Sequence, residues 1–152
     1  MTSTPTGIFF SELTADDIDA VVEIERSSFE RPWSRDHFLR ELESQISRTI
    51  VGRGAATKSA LGYVCRWLVV DEMQILNLAV HQDHRRQGIG RQLMKQALDE
   101  ARNAAIQCVT LEVREANLEA VALYQSLGFV RVGRRSNYYG QGHDGVLMTL
   151  TT

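Results

Sequence analysis

Apolar residues follow two spacings along this chain, one alternating and one recurring every three to four positions, and their order outlines a fold. Residues 8–12 have the character of a short first strand. Thr14 then offers a helix N-cap with Asp17 three residues on, and Ile18, Val21, Val22 and Glu25 follow at helical spacing. Pro32 and Trp33 break the chain, and Ser34 caps a second helix whose apolar stripe is Phe38, Leu39, Leu42 and Ile46. Strands at 48–53 and 61–70 flank residues 54–59, which read as a hairpin connection. Asp71-Glu72 turns the chain into a further strand at 73–80. Helical spacing returns at Ile89, Leu93, Met94, Ala97, Leu98 and Ala101. Residues 108–113 are a strand, and Ala120, Val121, Leu123, Tyr124 and Leu127 lie on a helix ended by Gly128. Residues 129–132 and 146–150 supply the last strands. The order β-α-α-β-β-β-α-β-α-β-β predicts an α/β fold of the α+β, mixed-sheet kind, with helices on its faces. Without repeat, low-complexity tract or linker, 152 residues suit a single domain, 1–152.

Charge narrows the partners. A net charge of −2 and a pI near 6.1 give no global basic field, so nucleic acid is not an expected partner. A polyanionic ligand would need a local cluster of positive groups. No apolar run approaches the roughly 20 residues that cross a bilayer, and residues 1–7 have neither the basic run nor the apolar core of a signal peptide. A cytoplasmic protein without a membrane partner is the expectation. Cys65 and Cys108 lie in apolar stretches without metal-like spacing and are expected to be buried thiols in a reducing compartment. His81 and His84 stand three apart in a loop without further ligands at useful spacing, so no metal is expected.

One segment does supply a positive cluster. The strand ending Leu78-Ala79-Val80 runs into Arg85-Arg86-Gln87-Gly88-Ile89-Gly90-Arg91 and then into an amphipathic helix. Glycines at 88 and 90 remove Cβ atoms where the chain tightens, so backbone N–H groups can approach a ligand closely. The first amides of that helix lack intrahelical acceptors and sit at the positive end of its dipole, a site for a pyrophosphate. A Gly-x-Gly alone is as readily a turn with a solvated basic face. The dinucleotide fingerprint fails for want of a third glycine, and the P-loop ending is missing.

Arg85-x-x-Gly88-x-Gly90 after an apolar strand resembles the coenzyme A signature of the GNAT N-acetyltransferases, and the element order is also that fold's order. The resemblance implies acetyl-CoA as co-substrate, bound by residues 85–91, with Leu78, Ala79 and Val80 pairing through their backbone with its pantetheine arm. Gln82 stands where relatives commonly have proline.

Residues 111–129 are the second informative stretch. Glu112 interrupts the apolar strand residues Val109, Leu111 and Val113, and by alternation alone could simply face solvent. Tyr124, spaced with Ala120 and Leu127, could be a core tyrosine, and Asn117 a plain N-cap. Amide formation from a thioester needs two proton movements: the acceptor ammonium loses one, and the departing thiolate gains from receiving one. A carboxylate of raised pKa suits the first task, and a phenol near about 10 the second. Leu111-Glu112-Val113-Arg114, Asn117 and Leu123-Tyr124-x-x-Leu127-Gly128-Phe129 are similar to the bacterial ribosomal-protein-alanine N-acetyltransferase branch, as are Phe29-x-x-Pro32-Trp33-Ser34 and Asn137-Tyr138-Tyr139. That resemblance covers nearly the whole chain. It implies Glu112 as proton acceptor, Tyr124 as proton donor, Asn117 at the cofactor, and Tyr138 and Tyr139 at the peptide entrance; Trp33, a candidate for the substrate wall, and Trp67 could each be core or wall, and the sequence does not decide. Ala116 replaces a common serine, and the segment after Tyr139 is shorter than in many relatives.

The acceptor implied is the N-terminal alanine of a small-subunit ribosomal protein. Physical chemistry points the same way. At pH 7 the neutral form costs roughly 1.4 kcal/mol for an α-amine and roughly 4.6 kcal/mol for lysine. One carboxylate suits the α-amine better. A coenzyme A-binding module without catalysis, or transfer to lysines or small amines, are the alternatives.

Overall fold

The computed structural model describes residues 7–152, so the expectation about a signal peptide at 1–7 falls almost wholly outside the described residues. Seven strands form one sheet in the order β1-β2-β3-β4-β5-β7-β6: β1 Ile8–Glu12, β2 Ser47–Gly54, β3 Ala60–Val69, β4 Glu72–Val80, β5 Cys108–Arg114, β6 Val130–Arg135 and β7 Gly145–Thr151. Four α-helices accompany them: α1 Ile18–Ser28, α2 Arg35–Glu43, α3 Ile89–Asn103 and α4 Leu118–Ser126. The expected α/β fold and element order are observed. Every neighbouring pair of strands is antiparallel except β4 and β5, which are parallel and joined by α3.

Each face of the sheet carries its own apolar layer. On one, Ile89, Leu93, Met94, Ala97 and Leu98 of α3 and Val121 and Tyr124 of α4 pack against Val64, Met73, Ile75, Val109 and Leu111. On the other, Ile18, Val21, Val22 and Ile24 of α1 and Phe38 of α2 pack against Val51, Tyr63 and Ala79. Among the described residues no helix is long and apolar enough to cross a membrane.

Several local expectations shift. Ile46 is not on the stripe of α2, because the helix ends at Glu43 and Ser44 is extended. Ile46 is exposed, and its carbonyl accepts from Leu68 N at 2.9 Å. Val70 is not strand but a turn residue at φ +56°, 94% exposed. β6 runs three residues further than expected, to Arg135, because an edge strand exposed along its length carries no apolar alternation to mark its end. Cys65 is buried as expected, and burial pushes its thiol up to about 11. Cys108 is not: it is half-buried at the start of β5.

The expected box at Thr14 and Asp17 is present, and Asp17 also binds Arg53 of β2 through both oxygens at 2.6 and 2.7 Å. A buried arginine that the pattern of the sequence did not reveal, Arg66 of β3, donates to Glu100 of α3 through Nε at 2.6 Å.

Candidate active site

The site follows from a discontinuity in the sheet. β4 and β5 pair only from Glu72 opposite Cys108 to Ile75 opposite Leu111, and beyond that point the strands part. A bulge lies at the same place: Asn77 pairs with Cys65 but Ile75 with Arg66, so Leu76 is the extra residue. The bulge exchanges the faces of β4. Met73 and Ile75 before it, and Leu78 and Val80 after it, all pack with the α3 layer. Asn77 and Ala79 are thereby turned towards α1.

Between the parted strands lies a cleft of about 520 Å³, walled by β4 residues Ile75 to Leu78, β5 residues Leu111 to Arg114, the segment after α1, and α4. Glu112, Asn117, Tyr124, Leu78, Trp33 and Tyr139 all line it. These residues, predicted separately from the sequence, share one space. Tyr138 is not among its lining residues; it is exposed, with the Arg135 guanidinium 5.0 Å from its ring.

At one end the strand β4 runs to Val80 and the loop to α3. Gly88 caps α3 at φ +84°, a conformation that glycine adopts without strain, whereas Arg86 takes φ +63° with a side chain. The first intrahelical bond of α3 is Gln92 N to Gly88 O at 3.0 Å, which leaves the amides of Ile89, Gly90 and Arg91 ahead of it; among the described residues no side chain caps them. A Cβ added at Gly90 would lie 3.7 Å from Val80 and 3.8 Å from Leu123, so this turn sits between the end of β4 and α4.

The three arginines divide. Arg86 pairs with Glu119 at 3.0 Å and Arg91 with Ser126 at 2.7 Å, both on α4. Arg85 instead turns back, donating to the carbonyl of Val80 at 3.1 Å and to Ser28 Oγ at 3.0 Å. It ties the loop to β4 and α1. Gln87 is half-buried beside them. His81 caps the short turn before the loop, its Nδ1 accepting from Asp83 N at 3.1 Å.

At the other end are the ionisable groups. Glu112 Oε1 lies 3.2 Å from Arg135 Nη2, while Oε2 is buried without a hydrogen-bond partner among the described residues. Tyr124 is buried, packs edge-on against Phe129, and burial raises its phenol above the ordinary value, with Tyr139 adding to the effect. The sequence expectation of an ordinary phenol near 10 is corrected here. Tyr139 is pushed up to about 12 by burial, then by the charge of Glu112. Asn117 caps α4, accepting from Ala120 N at 3.2 Å. Trp33 stacks on His37 with centroids 3.9 Å apart. Trp67 plays no part in the cleft wall; its indole donates to Glu41 at 2.7 Å.

Sequence reasoning missed Glu25. It is 1% exposed, lines the cleft, and accepts from Trp33 N at 2.8 Å, Asn77 Nδ2 at 2.6 Å and the Tyr63 hydroxyl. Burial raises its pKa against these three donors. Its place at a core-facing position of an amphipathic helix was the available signal.

The mixed sheet is thus split between its two parallel strands, with helix-start amides near one end of the split and a carboxylate and a phenol lining the cleft. The chain belongs to the acetyltransferase (GNAT) family, which it matches over residues 18–129. It is 35% identical over 143 residues to the ribosomal protein bS18-alanine N-acetyltransferase of Salmonella typhimurium, covering 92% of this chain and 95% of that one. The crystal structure of the ribosomal-protein-S18-alanine N-acetyltransferase from Escherichia coli superposes with a TM-score of 0.87 at 30% identity, over 95% of this chain and 93% of that one. Ard1 from Thermoplasma volcanium gives 0.89 at 26% identity, over 97% and 99%.

Proposed function

We propose that this chain is a single-domain, acetyl-CoA-dependent N-α-acetyltransferase whose acceptor is the N-terminal alanine of a small-subunit ribosomal protein. The observation that carries the reading is the shared cleft, in which the free oxygen of Glu112 and the phenol of Tyr124 stand where β4 and β5 part. The relatives named for bS18 alanine, matched over nine-tenths of both chains, support the acceptor.

The residues fit the coenzyme. Ile89, Gly90 and Arg91 offer backbone amides to a diphosphate, with Arg86 and Arg91 beside them. Leu78, Ala79 and Val80 present the backbone edge of β4 that β5 has left. Asn117 stands on the opposite wall, at the start of α4. Acetyl-CoA supplies the activated acetyl group. Glu112 takes a proton from the acceptor ammonium, the freed nitrogen lone pair forms a bond to the acetyl carbonyl carbon as the C–S bond breaks, and Tyr124 gives its proton to the departing sulfur and regains one from the nitrogen. Tyr139 and Trp33 wall the acceptor side, and Tyr138 packs edge-on against Tyr139.

A panel of short peptides differing only in the first residue tests this, scored by fragment mass spectra with and without a blocked N-terminus. We expect acetylation of the Ala-initiated peptide at its α-amine. Acetylation that survives blocking overturns the acceptor, and coenzyme binding without thiol release for any amine overturns the activity.

A further inference from the structure

The two oxygens of Glu112 are treated unequally. Oε2 is buried with no partner, and Oε1 faces the Arg135 guanidinium at 3.2 Å. That arginine comes from two strands away. Arg135 is opposite Gly145 of β7, and Gly145 is opposite Arg114 of β5, so the three form one row across the sheet, with Glu112 two residues along β5 on the same face. The missing side chain in the middle of that row makes room. A Cβ at Gly145 would come within 3.1 Å of the Tyr139 ring and 3.2 Å of the Tyr138 ring. The two tyrosines rest on the glycine, and each carries an arginine: Arg135 is 5.0 Å from the Tyr138 centroid and Arg114 is 6.0 Å from that of Tyr139. Arg114 in turn pairs with Glu30 at 3.3 Å.

We propose that Arg135 is a positioning residue for the acceptor amine: its guanidinium holds the cation place on Glu112 that the acceptor's α-ammonium takes over. The inference rests on the reading of Glu112 given above.

The chemistry of the two cations makes the exchange useful. A guanidinium donates hydrogen bonds to a carboxylate but does not give up its proton in a protein. It therefore orients Glu112 without offering it a proton. An α-ammonium, with a pKa near ~8, does give up a proton. When it takes the same place, an N–H bond breaks, an O–H bond forms on Glu112, and the electron pair stays on nitrogen as the nucleophile. The exposed side chain of Arg135, 58% accessible against 14% for Glu112, has room to withdraw over the Tyr138 ring, where its charge is still met by the π face.

The test compares the intact protein with Arg135→Ala and Arg135→Lys, using acetyl-CoA and an Ala-initiated peptide. Removing the resident cation lowers the peptide KM roughly five-fold, about the strength of a half-exposed ion pair, with a smaller change in kcat. Arg135→Lys keeps the KM near that of the unsubstituted protein. Methylguanidine competes with the peptide in Arg135→Ala and brings its KM back up, and acts much more weakly when Arg135 is present. An unchanged or raised KM in Arg135→Ala, with no competition from methylguanidine, overturns the proposal. Glu112→Gln is measured alongside. If it keeps full turnover, the reading of Glu112 as base fails, whatever Arg135 does. If Glu112→Gln is inactive while Arg135→Ala leaves KM alone, only the role of Arg135 fails.

Discussion

The two ends of the cleft are built from different materials. The end we propose for the coenzyme is made of backbone: the amides of Ile89, Gly90 and Arg91, the left-handed cap at Gly88 and the free edge of β4, all within residues 78–91. The end we propose for the acceptor is made of side chains drawn from across the chain: Glu25 from α1, Trp33 from the segment after it, Glu112 from β5, Arg135 from β6 and Tyr139 from the loop before β7. A backbone site is sensitive to shape and indifferent to most side-chain chemistry. A side-chain site is the reverse. Substitutions should therefore divide between coenzyme affinity and turnover according to the end they touch.

The largest expected effect breaks the acceptor end alone. Glu112→Gln keeps the shape of the side chain and removes its basicity, so kcat with an Ala-initiated peptide falls by about 10²–10⁴. Coenzyme affinity, measured by titration calorimetry, stays within about two-fold. Tyr124→Phe gives the same division, with a smaller loss in kcat because water can replace the acid. Equal losses in turnover and coenzyme affinity for either variant contradict the division of the cleft.

The same contrast explains how much was legible in the sequence. The element order and the tight turn into α3 were readable because their signals are local: strand alternation, helical stripes, and glycines a fixed distance from a strand end. Glu112 and Tyr124 stood out as a pair only through resemblance, since each alone has an ordinary structural explanation. Arg135 was not legible, and of Glu25 only its place on the buried stripe of α1 was. Arg135 reaches Glu112 only because β7 inserts between β5 and β6 and presents a glycine there, a fact of sheet order rather than of spacing. Glu25 holds the helical apolar spacing of α1 while being a carboxylate, and its donors lie eight, 38 and 52 residues away. The bulge at Leu76 was equally hidden, because two adjacent apolar residues such as Ile75-Leu76 carry no mark of a change of face.

Glu25 gives the next largest effect, and it sharpens the comparison by joining stability to the acceptor side. Three donors converge on two carboxylate oxygens, so Glu25→Gln must turn an amide N–H₂ towards at least one of them. One buried clash of donors costs about 1–3 kcal/mol. For a chain of this size that is a drop of about 3–10 °C in Tm. Because Trp33 N is one of the donors, we expect a raised peptide KM as well, with coenzyme affinity nearly unchanged. An unaltered melting curve would show that these contacts do not constrain the cleft wall.

A smaller effect probes the backbone end. A Cβ at Gly90 would make only ordinary contacts with Val80 and Leu123, whereas one at Gly62 would lie 2.8 Å from the Ala79 carbonyl oxygen. Gly90→Ala should thus fold normally and weaken coenzyme binding by about ten-fold, through crowding of the amides. Gly62→Ala, in contrast, should lower Tm by pushing β3 from β4. Coenzyme titration and thermal melts of the two variants separate crowding from misfolding. Normal coenzyme affinity in Gly90→Ala would place the diphosphate elsewhere.

The smallest effect belongs to a pair outside both ends. Asp17, bound by Arg53, has its carboxyl held below the ordinary range chiefly by that hydrogen bond. A depressed folded pKa contributes stability that is present above the unfolded value, near ~3.9, and lost as pH falls through the folded one. Asp17→Asn should therefore cost about 1 kcal/mol at pH 7, or 2–4 °C in Tm, and the gap should close on acidification below about pH 4. The cost stays small because Arg53 keeps two further acceptors, Ser11 Oγ at 2.6 Å and the Glu12 carbonyl at 3.3 Å. Neither kcat nor coenzyme affinity should move at temperatures well below Tm, since neither residue lines the cleft. A gap that widened in acid would reverse the sign of the linkage. A change in kcat would mean that the α1 layer transmits strain to the acceptor wall, and the two ends could no longer be treated as separately built.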